Sequence, residues 1–205
     1  MKKNMDIVCM ACGFLRESKE LRPKIRDVSS RMLIIAAPTN YGNRQDLFYP
    51  AQYHDLVLSM FATNGNVKKS VNLNPSHGFG DSLAILGEDI RKINGEIDSG
   101  TSYATAITAG FAARLLDFSR HGDNKSALGD MAEKLKDKAK MTTFLLSLTT
   151  LDPPYHCIRP WDLLPANLQL PFSLANPPSD TEIENARRDV CKWMNWAIEG
   201  RLKKH

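Results

Sequence analysis

Apolar residues come in short dense runs along the first two thirds of the chain, separated by polar stretches rich in turn formers. Residues 6–13 hold Ile7, Val8, Cys9, Met10 and Ala11 and close on Gly13, the pattern of a buried, parallel-type strand. Residues 21–30 instead space Leu21, Ile25 and Val28 around Arg and Lys, which predicts a surface helix with Pro23 in its first turn. Residues 32–37 are continuously apolar and predict a second buried strand, stopped by the turn cluster Pro38-Thr39-Asn40-Tyr41-Gly42-Asn43. A third strand is predicted over 55–62, then an Asn64-Gly65 turn with 67–73 returning as a hairpin partner. Residues 83–86 form a fourth buried run, and 90–97 are polar, strand-like or looped.

The longest apolar segment, 107–118, follows a Gly100-Thr101-Ser102 corner, with no charge between Tyr103 and Ala113. A helix this apolar is expected to be buried. Ser102, Ala106, Ala109, Gly110 and Ala113 fall on one stripe of small residues along it. Beyond it the pattern predicts a loop at 123–126, a second helix over 127–147 and a proline-rich extended wrapping segment over 150–178. Ser179-x-x-Glu182 is a capping box opening a last helix, with Ile183, Ala186, Val190, Trp193 and Ala197 on one face. Strands alternating with helices predict an α/β fold with a largely parallel sheet. Ligand groups in such sheets collect at the carboxyl ends of strands, where the Asn40 turn and the Ser102 corner both fall.

Composition narrows the picture. The 205 residues suffice for one domain, and a net charge of +4 is scattered rather than gathered into a basic stripe, so nucleic acid is not an expected partner. No apolar run reaches about eighteen residues, so no membrane span is expected. Of the four cysteines, Cys9 and Cys12 make a C-x-x-C, but no second pair completes a metal site. Cys9 and Cys12 are expected as buried free thiols, and few cysteines at irregular spacing point to a reducing, cytoplasmic compartment. No cofactor and no metal are expected.

Ser102 has two readings. It is an ordinary cap on a buried helix, or a nucleophile placed where free N–H groups can hold an oxyanion. Here a resemblance enters. Asn4 to Gly13 resembles N-x-D-V-I-N-M-S-L-G, the cleft strand of the subtilisin-like (S8) serine peptidases. Leu33 to Asn40 resembles their V-x-x-A-A-A-G-N stretch, Tyr49-Pro50-Ala51 their Y-P-A, and Ser99 to Gly110 their G-T-S-x-A serine signature. Tyr155 to Leu164 is similar to the Y-x-x-x-x-P-W-x-L-L ending of intracellular fungal members.

The resemblance implies a three-layer subtilisin-like fold with a buried helix starting at the catalytic serine. It implies that Ser102 attacks a peptide carbonyl and that the Asn40 amide helps hold the oxyanion. Ala11, Cys12 and Gly13 would pair with a peptide or protein substrate as a strand. Residues 1–150 would be the C-terminal half of the peptidase domain, 151–178 the wrapping segment and 179–205 an added amphipathic helix. The family's triad runs Asp, His, Ser, with Asp and His upstream of the cleft strand; no D-[ST]-G stretch precedes that strand here, Asp98-Ser99-Gly100 falling at the serine corner instead, and no H-G-T stretch occurs. His54, His77, His121, His156 and His205 all lie in other contexts, His77-Gly78 being followed by Phe79. The expectation is a truncated peptidase domain, inactive alone, whose missing N-terminal half is a possible partner. The alternatives are a non-catalytic interaction module of the same fold, and an unrelated α/β domain in which Ser102 only caps a helix.

Overall fold

A computed structural model of the chain describes residues 5–77, 82–165 and 177–200. A six-stranded sheet forms the middle layer. Its strands are β1 (Ile7–Met10), β2 (Leu33–Ala36), β3 (Leu58–Thr63), β4 (Leu83–Leu86), β7 (Thr149–Asp152) and β8 (Tyr155–Ile158), in the order β1-β2-β3-β4-β8-β7. All neighbours are parallel except β7, which runs antiparallel to β8. β5 (Ile90–Arg91) and β6 (Ile97–Asp98) make a separate small hairpin.

The continuous apolar runs are explained by burial on both faces. Leu33 and Ile35 of β2 face one core with Leu58, Met60, Leu83 and Ile85, whereas Ile34 and Ala36 face another with Ile25, Tyr53 and Val57. Alternation along each strand thus feeds two layers at once. α1 (Leu21–Ser29) covers the second face. The first is covered by α2 (Thr101–Arg120), with α3 (Gly122–Leu128), α4 (Met131–Lys134), α5 (Lys138–Leu146) and α6 (Asp180–Ile198) beyond it. Among the described residues no helix is long and apolar enough to cross a membrane.

Several elements differ from expectation. Residues 67–73 form no strand beyond one bridge, Thr63 with Lys69. β3 already has parallel neighbours on both sides. Where β2 ends, the Asn74 side-chain amide stands in for a strand, giving and taking hydrogen bonds with Ala62 at 2.7 and 3.0 Å. Residues 123–126 belong to helix α3 rather than a loop. The single helix expected over 127–147 is three pieces, interrupted at Gly129 (φ 53°) and again before the Asp137 cap of α5. Part of the proline-rich segment folds as the β7–β8 hairpin, with Tyr155 and Cys157 buried; its residues 166–176 lie outside the described residues, as do 201–205. The Ser179–Glu182 capping box is present, and α6 buries Ala186, Val190, Met194 and Ala197, although Ile183 stays exposed.

α2 departs most from its expected burial. Ala104, Thr108, Ala112, Leu115 and Leu116 face the sheet, and its buried hydroxyls bond back to carbonyls one turn earlier. The small stripe is on the other side: Ala106, Gly110 and Ala113 are exposed.

The cysteines divide in the same way. Cys157 and Cys191 are buried free thiols, but Cys9 and Cys12 are exposed, because β1 is an edge strand and the chain leaves the sheet after Met10. Partial burial still pushes the Cys9 thiol pKa up. A thiol reagent is therefore expected to modify Cys12 and, more slowly, Cys9 in the native protein, and Cys157 and Cys191 only on unfolding. Peptide mapping after labelling checks this; native labelling of Cys157 would contradict the burial.

Candidate active site

Three segments distant in sequence meet beyond the carboxyl ends of β1, β2 and β4. The first is the turn after β2. Thr39 is buried, its hydroxyl accepts from Tyr41 N–H at 3.1 Å, and Asn40 emerges at the surface. The second is the corner opening α2. Gly100 is its N-cap, in extended backbone (φ 173°), with its N–H donating to Gly87 O at 2.8 Å.

Neither Ser102 nor Thr101 caps the helix with its own side chain. The cap comes from the other segment: Asn40 Oδ1 accepts from Thr101 N–H at 2.7 Å, and the Thr101 hydroxyl lies 2.9 Å from both that oxygen and the Thr39 carbonyl. Asn40 and Thr101 are 61 positions apart. A Cβ at position 100 would stand 3.3 Å from Asn40 Nδ2, so a side chain there would press on the Asn40 amide.

This arrangement leaves two donors. With Oδ1 committed to Thr101, the Nδ2 group of Asn40 has no acceptor among the described residues, and neither has the backbone N–H of Ser102. The latter is one of the orphan amides at a helix start, where the dipole is positive. Two adjoining, unspent donors beside a hydroxyl can stabilise a negatively charged oxygen.

The third segment follows β1. Ala11 and Cys12 are exposed, Gly13 is half-buried, and none of the three makes a backbone–backbone hydrogen bond among the described residues. Ser102 Oγ donates to the Ala11 carbonyl at 2.8 Å across 91 positions. The structure thus brings together all five residues singled out in the sequence: Ala11, Cys12, Gly13, Asn40 and Ser102.

No histidine joins them through a hydrogen bond to Ser102 among the described residues. His54 gives its carbonyl to Lys138, His121 ends α2 roughly 28 Å along the helix from Ser102, and His156 pairs with Leu83 in the sheet.

Sequence reasoning missed three neighbours, Asp98, Lys92 and Phe48. Tyr103 hydroxyl donates to Asp98 at 2.8 Å, and Lys92 reaches Asp98 at 3.3 Å, which latches the β5–β6 hairpin to the first turn of α2. That hydrogen bond holds the Asp98 carboxyl below its usual range and raises the Tyr103 hydroxyl. Only the spacing of Asp98 and Tyr103 across the corner hinted at it. Phe48 also lies against Gly13, with no signal in the local pattern.

The sequence profile of the subtilase family, peptidase S8, matches residues 1–147. Among solved structures, the prenylagaramide maturation protease PagA is 27% identical, with a TM-score of 0.53 over 73% of this chain and 53% of that one. The patellamide maturation protease PatA is 21% identical, with a TM-score of 0.53 over 95% of this chain and 63% of that one. A cold-adapted subtilisin-like serine proteinase is 20% identical, with a TM-score of 0.53 over 71% and 49%. The chain spans less than two thirds of the length of each of these. A search of curated proteins gives no match.

Proposed function

The chain belongs to the subtilase family, and from that premise we propose that it is the serine-bearing part of an endopeptidase domain whose general base lies on another segment. Ser102 Oγ attacks the substrate carbonyl. The Asn40 Nδ2 group and the Ser102 N–H receive the developing oxyanion, and residues 11–13 receive the substrate backbone as an added strand. Residues 1–150 are then the serine-bearing half of the domain, 151–178 its wrapping segment with an ending of the intracellular fungal kind, and 179–205 an added helix.

The observation that carries this reading is the orientation of Asn40. Its oxygen is tied to Thr101, so its amide nitrogen is left as a donor beside Ser102. A helix cap alone needs only the oxygen.

Among the described residues no side chain is hydrogen-bonded to the nucleophile to take its proton. Its hydroxyl hydrogen is spent on the Ala11 carbonyl, and the sequence holds no H-G-T stretch and no D-[ST]-G stretch ahead of β1. A complement supplying Asp and His has a face to cover, where α2 exposes Ala106, Gly110 and Ala113 and β1 leaves one edge unpaired. Small residues there allow a second backbone to approach closely.

The test is complementation. A segment carrying the Asp and His stretches of a subtilase domain is mixed or co-expressed with this chain, and both are treated with a fluorophosphonate. Labelling at Ser102 is expected in the mixture and not in the chain alone. Labelling of the isolated chain would show a base within these 205 residues. No labelling in a demonstrably formed complex would favour the interaction module.

A further inference from the structure

The Cys9-x-x-Cys12 pair stands at the outer edge of the sheet with both thiols exposed and unbridged. Partial burial raises the Cys9 thiol pKa, a hydrogen bond from Ala11 N–H to its sulfur lowers it, and the nearby charge of a Cys12 thiolate raises it again. The Cys9 side chain thus leans forward along the chain to Ala11, within electrostatic reach of Cys12.

The segment that carries Cys12 is tied at its two ends. Before it, the Met10 carbonyl accepts from Ala37 N–H at 3.0 Å; after it, Phe14 and Tyr49 exchange two 2.9 Å hydrogen bonds. Between these ties, residues 11–13 make no backbone–backbone hydrogen bond among the described residues. The Ala11 carbonyl is held by a side chain, Ser102 Oγ, at 2.8 Å. Residues three apart in a strand have Cα atoms roughly 10 Å apart, and a disulfide requires about 4.4–6.8 Å. Joining the two cysteines therefore needs a turn at Met10 and Ala11. Such a turn swings both carbonyls away from Ala37 and Ser102.

We propose that Cys9 and Cys12 form a reversible disulfide that withdraws residues 11–13 from Ser102. The oxidant is a small-molecule disulfide such as oxidised glutathione. The Cys12 thiolate attacks one of its sulfurs, forming a mixed disulfide and releasing one glutathione thiolate. The Cys9 thiolate then attacks the Cys12 sulfur and expels the second. The two protein thiol protons end on the two glutathiones, so the protein loses two electrons and the oxidant gains them. A bond that needs a backbone bend is strained, and strained disulfides are the readily reduced ones. Excess thiol therefore reverses it. The bond and the bend do not depend on the peptidase reading. That they close a substrate site rests on it.

The folded chain is equilibrated without denaturant over a series of reduced-to-oxidised glutathione ratios. Mass spectrometry is expected to show loss of both thiol hydrogens and a Cys9–Cys12 link in the oxidised buffers, reversed by dithiothreitol. Amide exchange at Ala37 is expected to quicken at least about tenfold on oxidation. Exchange at Leu33, whose N–H donates to the Asp6 carbonyl at 2.9 Å, is expected to stay the same. Cys9→Ser is expected to keep Ala37 at its slow rate in every buffer. A mixed glutathione disulfide at Cys12 without the Cys9–Cys12 link overturns the proposal, as does a link that leaves Ala37 unchanged. With the Asp- and His-bearing segment added, fluorophosphonate labelling of Ser102 is expected in reduced buffers and lost in oxidised ones. Equal labelling with and without the link overturns the closure of the site. No labelling in either buffer, with the link and the Ala37 response present, overturns the peptidase reading while the disulfide and its bend stand.

Discussion

Replacing Ser102 by alanine in the complemented domain is expected to lower kcat by about a millionfold, a magnitude carried over from subtilisin, where losing the nucleophile alone has that effect. The loss is this large because nucleophile and base act as a unit. The residual rate belongs to the oxyanion donors and substrate binding, which Ser102→Ala leaves in place. Folding is expected to change little. Ser102 Oγ makes one hydrogen bond, to Ala11 O, at a partly exposed position, and such a bond contributes about 1 kcal/mol net. Peptide cleavage and thermal unfolding of the same preparations separate the two effects. A variant that still cleaves at a comparable rate would remove Ser102 from the mechanism.

The second large effect concerns Asn40, whose two side-chain ends do different work. Asn40→Asp keeps an oxygen for Thr101 N–H and Oγ1 and removes the nitrogen donor. A carboxylate at a helix start is also favoured by the dipole. Stability is expected to hold or rise slightly. Turnover is expected to fall by at least 10²–10³, about 2.7–4 kcal/mol, the subtilisin value for losing one oxyanion donor, since a negative charge would now face the developing oxyanion. Asn40→Ala removes both ends and is expected to add a destabilisation of about 1–2 kcal/mol, because Thr101 N–H loses its cap. Equal turnover in the Asp variant and the parent would show that Asn40 only holds the corner. Urea unfolding alongside kcat for the three proteins checks both halves.

The parts of this architecture legible in the sequence are those where one local pattern has one structural meaning. The unbroken apolar run Leu33–Ala36 can only be a strand covered on both faces, and the Ser179-x-x-Glu182 box can only open a helix. The meeting of Asn40 with the Ser102 corner was legible as a family pattern, since nothing local to either segment says that they touch. What was hidden depends on neighbours. The stripe Ala106, Gly110 and Ala113 allows a close approach, but does not say that the described chain leaves it uncovered. The return strand expected at 67–73 was reasonable after Asn64-Gly65, but β2 takes the first part of that edge of β3 and the Asn74 amide takes the next. Cys9 and Cys12 look interior because their neighbours are apolar. Their exposure follows from β1 being the outermost strand, which is a property of sheet order.

The cap that Asn40 lends to Thr101 also gives the site a built-in reporter. Thr101 N–H has its acceptor only while the Asn40 carboxamide keeps its oxygen turned toward the helix, and in that rotamer the nitrogen is turned away from it. Hydrogen–deuterium exchange at this single amide therefore follows the side-chain rotation of a residue on another loop. Slow exchange marks the population with the donor available, and rapid exchange marks its loss, before any substrate is added.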